Sequence, residues 1–356
     1  MERKLIAAPD KIVDSHGVVA TGVFDAPLKD VNLEDASLST GGIPWPGWWR
    51  RMRLKEWQHV WIGGEDFYFG FAAVDGKFIK TGFSYFYDRR EAGGQFVERT
   101  LESPRFQARI PSALGDSHGH LISKGFMLHI HNHLDRKDGG QHRYSLQIPA
   151  AKDEPSIMAD VTLHEDLAKR QPLVVVLPFG DNAGLYSHKS IVPVNGEVVV
   201  DGRRHEITPD RFRAVLDVHK AHYPYRSFWN WTTFWGYDVE GREIGINLTD
   251  NVAIDADETN ECAFWLEGRM HRLGRAVVEH PKGDTLSEWK AGTRDGQVRL
   301  RFHPEGERKG RIELALVSSK FHQPFGTYEG EVELPGGQQI KIDRAWGIAE
   351  DHKVRW

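Results

Sequence analysis

The sequence predicts an all-β protein made of two tandem antiparallel barrel or sandwich units. Three observations predict it. Short alternating or β-rich runs recur along the whole chain, and helical periodicity is scarce. The joins between runs carry hairpin chemistry: Val74-Asp75-Gly76-Lys77, Val200-Asp201-Gly202-Arg203, Val239-Glu240-Gly241-Arg242 and Arg294-Asp295-Gly296-Gln297. Asp-Gly supplies the positive φ that tight two-residue loops need. Finally, one stretch echoes another far downstream. Strands at this spacing indicate sandwiches or barrels rather than a parallel sheet with crossover helices.

In chain order the expected strands are Asp66–Val74, Phe78–Tyr87, Phe126–His133, Tyr144–Ile148, Ile157–Leu163, Leu173–Leu177 and Glu197–Val200. They continue with Phe228–Tyr237, Glu243–Leu248, Ala263–Leu266, Gln297–Phe302, Ile312–Val317, Tyr328–Leu334 and Gln338–Ile342. Thr208-Pro209-Asp210 ahead of Phe212, Val215 and Leu216 has the form of a capped helix start, so a short helix is the alternative there. The echo relates Gly196-Glu197-Val198-Val199-Val200-Asp201-Gly202 to Gly330-Glu331-Val332-Glu333-Leu334-Pro335-Gly336, an offset of 134 (330 − 196). The same offset carries Asp217 onto Asp351. Two related halves are expected, 1–222 and 223–356, with a linker around Ala221–Ser227.

Composition narrows the function. The chain has 356 residues, which at roughly 150 per domain allows about two domains. Hydrophobic residues make up 40 %, enough for a large core, so wholesale disorder is excluded. The net charge of −5, with both signs scattered, argues against a nucleic-acid binder. No apolar run approaches ~18 residues, so no helical membrane span is expected. The first residues lack the apolar core of a secretory signal, and a cytoplasmic location is the expectation. The single cysteine, Cys262, excludes an intrachain disulfide and a Cys-rich zinc site. No Gly-rich phosphate loop occurs. The 12 Trp and 18 His stand out, because both side chains suit an apolar cavity with polar handles.

Five groups of residues are candidates for chemistry. In Asp217-Val218-His219 and Glu350-Asp351-His352, a carboxyl buried among aromatic rings would keep its proton and act as a general acid. Asp217, His219, Asp351 and His352 are the catalytic candidates, against a structural reading as turn carboxylates. Trp229, Trp231, Trp235 and Tyr237 share strand parity and would line a barrel lumen or fill a core. A second aromatic cluster, Trp45, Trp48, Trp49, Trp57 and Trp61, lies near the N-terminus, and Trp57 is its ligand-binding candidate. His129, His131 and His133 alternate on one strand, which suits either a metal or a hydrated face. The hydrated face is the preferred reading, with no metal assigned. Tyr186 is a further catalytic candidate and Lys189 a ligand-binding one, both able to shift pKa and move protons in an apolar cavity. Asn247 is a side-chain amide able to orient a ligand oxygen.

Three stretches carry a family resemblance: Arg51-Met52-Arg53-Leu54-Lys55-Glu56-Trp57-Gln58, Phe228-Trp229-Asn230-Trp231 through Gly241-Arg242-Glu243-Ile244-Gly245-Ile246-Asn247-Leu248, and Gly347-Ile348-Ala349-Glu350-Asp351-His352-Lys353-Val354-Arg355-Trp356. Together they resemble the domain-of-unknown-function family 2804 over nearly the whole chain. More distantly, the order of Gly-x-Val-x-Val-x-Gly, an Asp-His segment, Trp-x-Trp and Asp/Glu-Gly-Arg is similar to the carotenoid 1,2-hydratase and AttH-like group. That resemblance implies two tandem lipocalin-like (calycin) domains, and in some members alkene hydration with an aspartic acid as proton donor. Asp217 matches that aspartate, although Asp217-Val218-His219-Lys220 stands where the group has Asp-His-x-Trp-Gly.

The resulting expectation is a non-redox, cofactor-independent acid–base enzyme of the hydratase, isomerase, cyclase or lyase type. It would act on a lipophilic small molecule, such as an isoprenoid or polyketide-like compound, in an aromatic-lined β-barrel pocket. Two alternatives stand beside it. One is a calycin-type carrier without chemistry. The other is a carbohydrate-active or metal-dependent enzyme using the histidine ladder.

Overall fold

The computed structural model describes residues 3–91, 93–313 and 316–356. Two large sheets dominate it. Apart from a small hairpin at Ser39–Thr40 and Ile43–Pro44, the strands up to Ala221 form one fourteen-stranded sheet. The strands from Arg226 to Arg355 form a second sheet of nine. Their ladders are antiparallel. Each sheet curls round its own apolar core, giving two tandem antiparallel barrel-like units. The first core holds Val60, Ile62, Phe69, Leu128 and Leu216, and the second holds Phe234, Ile246, Trp289, Phe302 and Tyr328. A third cluster, with Trp61, Tyr68, Tyr85, Trp231, Trp235 and Trp346, packs one sheet against the other.

The arrangement explains which strands the sequence reveals. Strands exposed on one face alternate visibly, as in Phe126–His133, where Phe126, Leu128 and Ile130 are buried and His129 and His131 are exposed. Two long strands at the centre of the first sheet, Lys55–Gly64 and Phe212–Ala221, escape the pattern. One face of each meets its own core and the other meets the second sheet, so nearly every position is buried and alternation disappears. The helix suggested after Thr208 is corrected on this point. The amides of Arg211 and Phe212 both bond back to the Thr208 carbonyl, closing a single turn before the Phe212 strand begins. The apolar stripe read as helical is instead a strand buried on both sides.

Two further differences are local. A seven-residue helix, Gly47–Arg53, starts after Pro46, too short for a periodic signal. The expected strand Ile312–Val317 includes Leu314 and Ala315, which lie outside the described residues. Around them one strand ends at Glu313 and the next starts at Ser318.

The echo is visible in the fold. Gly196 and Gly330 sit on equivalent strands with φ of +140° and +143°. A Cβ on either would lie 2.1 Å from a backbone oxygen of the neighbouring strand, Asp160 or Arg299 respectively. Only glycine satisfies both constraints.

Candidate functional site

Register assembles the site row by row. In the first sheet, Lys189, Asp217, His59, Ala72 and Phe83 are successive cross-strand partners. Ser187, His219, Trp57, Val74 and Thr81 form the adjacent row. Direct partners project from the same face, and here that face meets the second sheet. Opposite stand the rows Thr249–Trp231–Glu350 and Asn251–Trp229–His352–Phe321. A cavity of about 190 Å³ lies between the two sets. It is therefore a cleft between sheets, which corrects the expectation of a barrel lumen. The row Trp229, Trp231, Trp235 turns toward the first sheet, while Phe234 from the same strand faces the second core.

At the centre is a buried ionic cluster. Lys189 Nζ lies 2.6 Å from Asp217 Oδ1 and 3.6 Å from Glu261 Oε1. His219 Nε2 lies 3.0 Å from Asp217 Oδ1, 3.1 Å from Glu261 Oε1 and 2.9 Å from Ser187 Oγ. Trp57 Nε1 donates to Asp217 Oδ2 at 3.2 Å, and Asn251 Nδ2 donates to Glu261 Oε2 at 3.1 Å. Burial alone would raise Asp217, but the His219 and Lys189 charges outweigh it and hold the carboxyl well below its usual range. Glu261 is lowered against burial by the same two cations. Burial would lower His219 and Lys189, yet Asp217 and Glu261 raise both. The result favours two carboxylates facing an ammonium and a protonated imidazole. Asp217 is thus held toward its ionised form, the reverse of the protonated acid expected from the sequence, and the same contacts favour the protonated form of His219. The other ring nitrogen, Nδ1, meets the Tyr223 hydroxyl at 3.4 Å.

His59 has the opposite character. It is completely buried between Phe83 and Trp231, with ring centroids 5.8 and 5.7 Å away. Neither ring nitrogen has a partner among the described residues. Burial pushes its pKa down to about 4, so it is a neutral imidazole lining the cavity. An unpaired buried polar group of this kind calls for a bound partner.

The second sheet repeats the first. Ser187 pairs with His219, and Phe321 with His352. Superposing these pairs shifts the inner strand by 134 places (321 − 187) and the outer by 133 (352 − 219). Asp217 then falls on Glu350 (350 − 217) rather than on Asp351. The slip arises because the first half makes a turn before Phe212 where the second carries a bulge beside Ile342. Trp229 Nε1 donates to Glu350 Oε1 at 2.7 Å, and His352 Nδ1 lies 3.1 Å from the same oxygen. Burial would raise the Glu350 carboxyl, but its bonds with His352, Trp229 and Gln323 lower it.

The structure brings Trp57, Lys189, Asp217, His219, Trp229, Trp231 and His352 together around the cavity. Asp351 points the other way, toward His280 at 3.4 Å and Lys353 at 3.5 Å. Tyr186 points into the first core, since its strand alternates and Ser187 and Lys189 take the cavity side. Trp235 donates to Gly63 O at 2.7 Å and packs with Tyr237 and Trp346, sealing the sheet contact beyond the cavity. Asn247 stands behind Trp231, accepting its Nε1 proton at 2.6 Å. His129 and His131 lie on the exposed outer face of the first sheet, and His133 pairs with Asp116 at 3.0 Å. Among the described residues no group of three or more His, Cys, Asp or Glu is arranged to hold a metal ion. No helix among them is long and apolar enough to cross a membrane. Sequence reading overlooked His59, Tyr223 and Glu261. Trp57-Gln58-His59 carried the parity that points to His59, whereas Glu261 sits in a loop with no periodic signal.

The family model described as Domain of unknown function (DUF2804) matches residues 3–356. Among solved structures, kievitone hydratase from Nectria haematococca is similar at 10 % identity and a TM-score of 0.49, covering 85 % of this chain and 88 % of that one. A putative AttH from Nitrosomonas europaea is similar at 13 % identity and a TM-score of 0.42, covering 85 % of this chain and 92 % of that one. No curated protein matches the sequence.

Proposed function

The chain belongs to the DUF2804 family, whose description names no activity, and we propose one from the site itself: an acid–base lyase or isomerase acting on a planar, apolar small molecule. The observation that carries this reading is the contrast between two histidines on one sheet face. Asp217 and Glu261 favour the cationic form of His219, and burial favours the neutral form of His59. Neighbouring titratable groups driven apart in this way divide into acid and base roles. His219 supplies the proton through the Tyr223 hydroxyl, which passes on its own proton as it takes one from Nδ1. His59 bonds the substrate's oxygen, or the water that adds to it or leaves it. Trp57, Trp229 and Trp231 wall the ligand and favour a developing cation through their ring faces. The step requires no cofactor. We read the site as shared between units 1–222 and 223–356.

The test is incubation of the protein with phenylpropenoid and isoprenoid alkenes in deuterated water. Mass spectrometry then reads deuterium incorporation and gain or loss of water. The reading expects one compound class to exchange or hydrate, and His219→Asn to abolish this while tryptophan quenching by the compound persists. Binding with no exchange in the unaltered protein would favour a carrier of the calycin type and sink the enzymatic reading.

A further inference from the structure

One lysine at the cavity wall plays no part in that chemistry. Lys55 is 1 % exposed, begins the strand that carries Trp57 and His59, and lines the cavity beside Phe78 and Trp356. Its Nζ lies 3.0 Å from the Met52 carbonyl and 2.8 Å from the Gly76 carbonyl. The Phe78 and Trp356 rings are centred 5.0 and 5.7 Å away. The adjacent Glu56 and its cross-strand partner Asp75 are engaged elsewhere: Glu56 binds Lys77 and Lys220, and Asp75 binds Lys77 at 2.9 Å. Lys55 itself makes no salt bridge among the described residues.

We propose that Lys55 is a nucleophilic amine that captures apolar aldehydes and ketones at the cavity as a reversible imine. The geometry suits the uncharged form. A neutral amine has two N–H bonds, which the Met52 and Gly76 carbonyls accept, and the lone pair is left in a remaining tetrahedral direction. Aromatic walls disfavour the ammonium and favour an apolar carbonyl compound. Burial, then the charges of Arg53 and Lys77, push the Lys55 pKa down to about 7, against a smaller upward pull from Asp75. Lys77 and Lys189, by contrast, are raised by their carboxylate partners. In the reaction, nitrogen adds to the carbonyl carbon. The carbonyl oxygen then leaves as water, taking the two amine protons, and a C=N bond replaces C=O.

The experiment uses cinnamaldehyde with cyanoborohydride, which reduces the imine to a stable secondary amine, followed by peptide mapping on the unaltered chain. The adduct is expected on Lys55 at least ~10-fold above any other lysine at pH 7, because an ordinary lysine is almost wholly protonated there. Its yield should rise with a midpoint near pH 7. Lys55→Arg should lose the adduct and keep the fold, judged by circular dichroism. His219→Asn should keep the adduct, so the capture site and the proton chemistry fail separately. Even labelling across the exposed lysines, or an unmodified Lys55 peptide, overturns the proposal.

Discussion

Trp57 and Trp229 face each other across the cavity with ring centroids 5.8 Å apart, and each gives its indole proton to a carboxylate of its own sheet. Trp57 serves Asp217 and Trp229 serves Glu350. Each indole also packs on the histidine two residues beyond that carboxylate, at 4.7 Å from His219 and 4.2 Å from His352. A Trp–carboxylate–His unit is therefore present twice, face to face. Only the first copy has a lysine, Lys189, against its carboxylate; Gln323 stands at that place in the second. The halves share a plan, and their charges differ.

That difference predicts unequal effects of substitution. His219→Asn should lower turnover by about a hundred- to ten-thousandfold, the usual span for a positioned proton donor. It also leaves Asp217 and Glu261 facing Lys189 alone, and breaking a buried ion cluster costs about 3 kcal/mol or more. Urea unfolding reads the second effect independently of the first. Unchanged turnover in a folded variant removes His219 from the mechanism.

Glu350→Gln and Asp351→Asn form a matched pair. Glu350→Gln removes the buried charge and turns one of the two acceptor oxygens into an N–H donor, so it cannot serve Trp229 and His352 on one side and Gln323 on the other, and a stability loss of about 1–3 kcal/mol is expected, with reduced turnover. Asp351→Asn weakens part-exposed contacts with His280 and Lys353 on the face turned away from the cavity, so turnover should stay near the original. Equal loss of activity in both variants contradicts the register described above.

Acid should weaken the protein partly through His59. Its pKa is about 4 in the folded chain against 6.5 for a free side chain. Between those values the unfolded state binds the extra proton. The contribution is thus fully present above pH 6.5 and is lost as pH falls toward 4, up to about 3 kcal/mol in all. His222, also lowered to about 4, acts in the same sense. His59→Phe should make the stability–pH slope shallower by about one proton in this window. An unaltered slope, from chemical denaturation at several pH values, means that His59 is not held neutral.

The paired glycines offer a test of the repeat. Gly196→Ala and Gly330→Ala should each cost more than ~2 kcal/mol, since a Cβ at either position meets a backbone oxygen at 2.1 Å. Gly202→Ala, with a positive φ but open space around it, should cost about 1 kcal/mol. Equal small losses at all three positions would falsify the shared role.

Strand content, hairpin turns and the repeat were legible because each rests on neighbours in sequence. Ala263–Leu266 and Phe126–His133 occur with the expected bounds. The central strands Lys55–Gly64 and Phe212–Ala221 were not legible, because burial on two sides erases the polar half of the pattern. The aromatic row was visible from parity alone, yet parity says only that Trp229 and Trp231 share a face. It does not say whether that face meets a lumen or another sheet.

By itself the sequence determined two β-rich halves and a shared Trp, acid and His vocabulary. The tertiary structure alone decided that the halves present these residues to each other and that Glu350 rather than Asp351 matches Asp217. It also decided that the Asp217 carboxyl is held well below its usual range instead of being raised by burial. The reason is that register, charge pairing and desolvation are set by residues distant in sequence. A one-residue bulge turns a side chain to the opposite face, and a lysine one strand away inverts the effect of burial on a carboxyl.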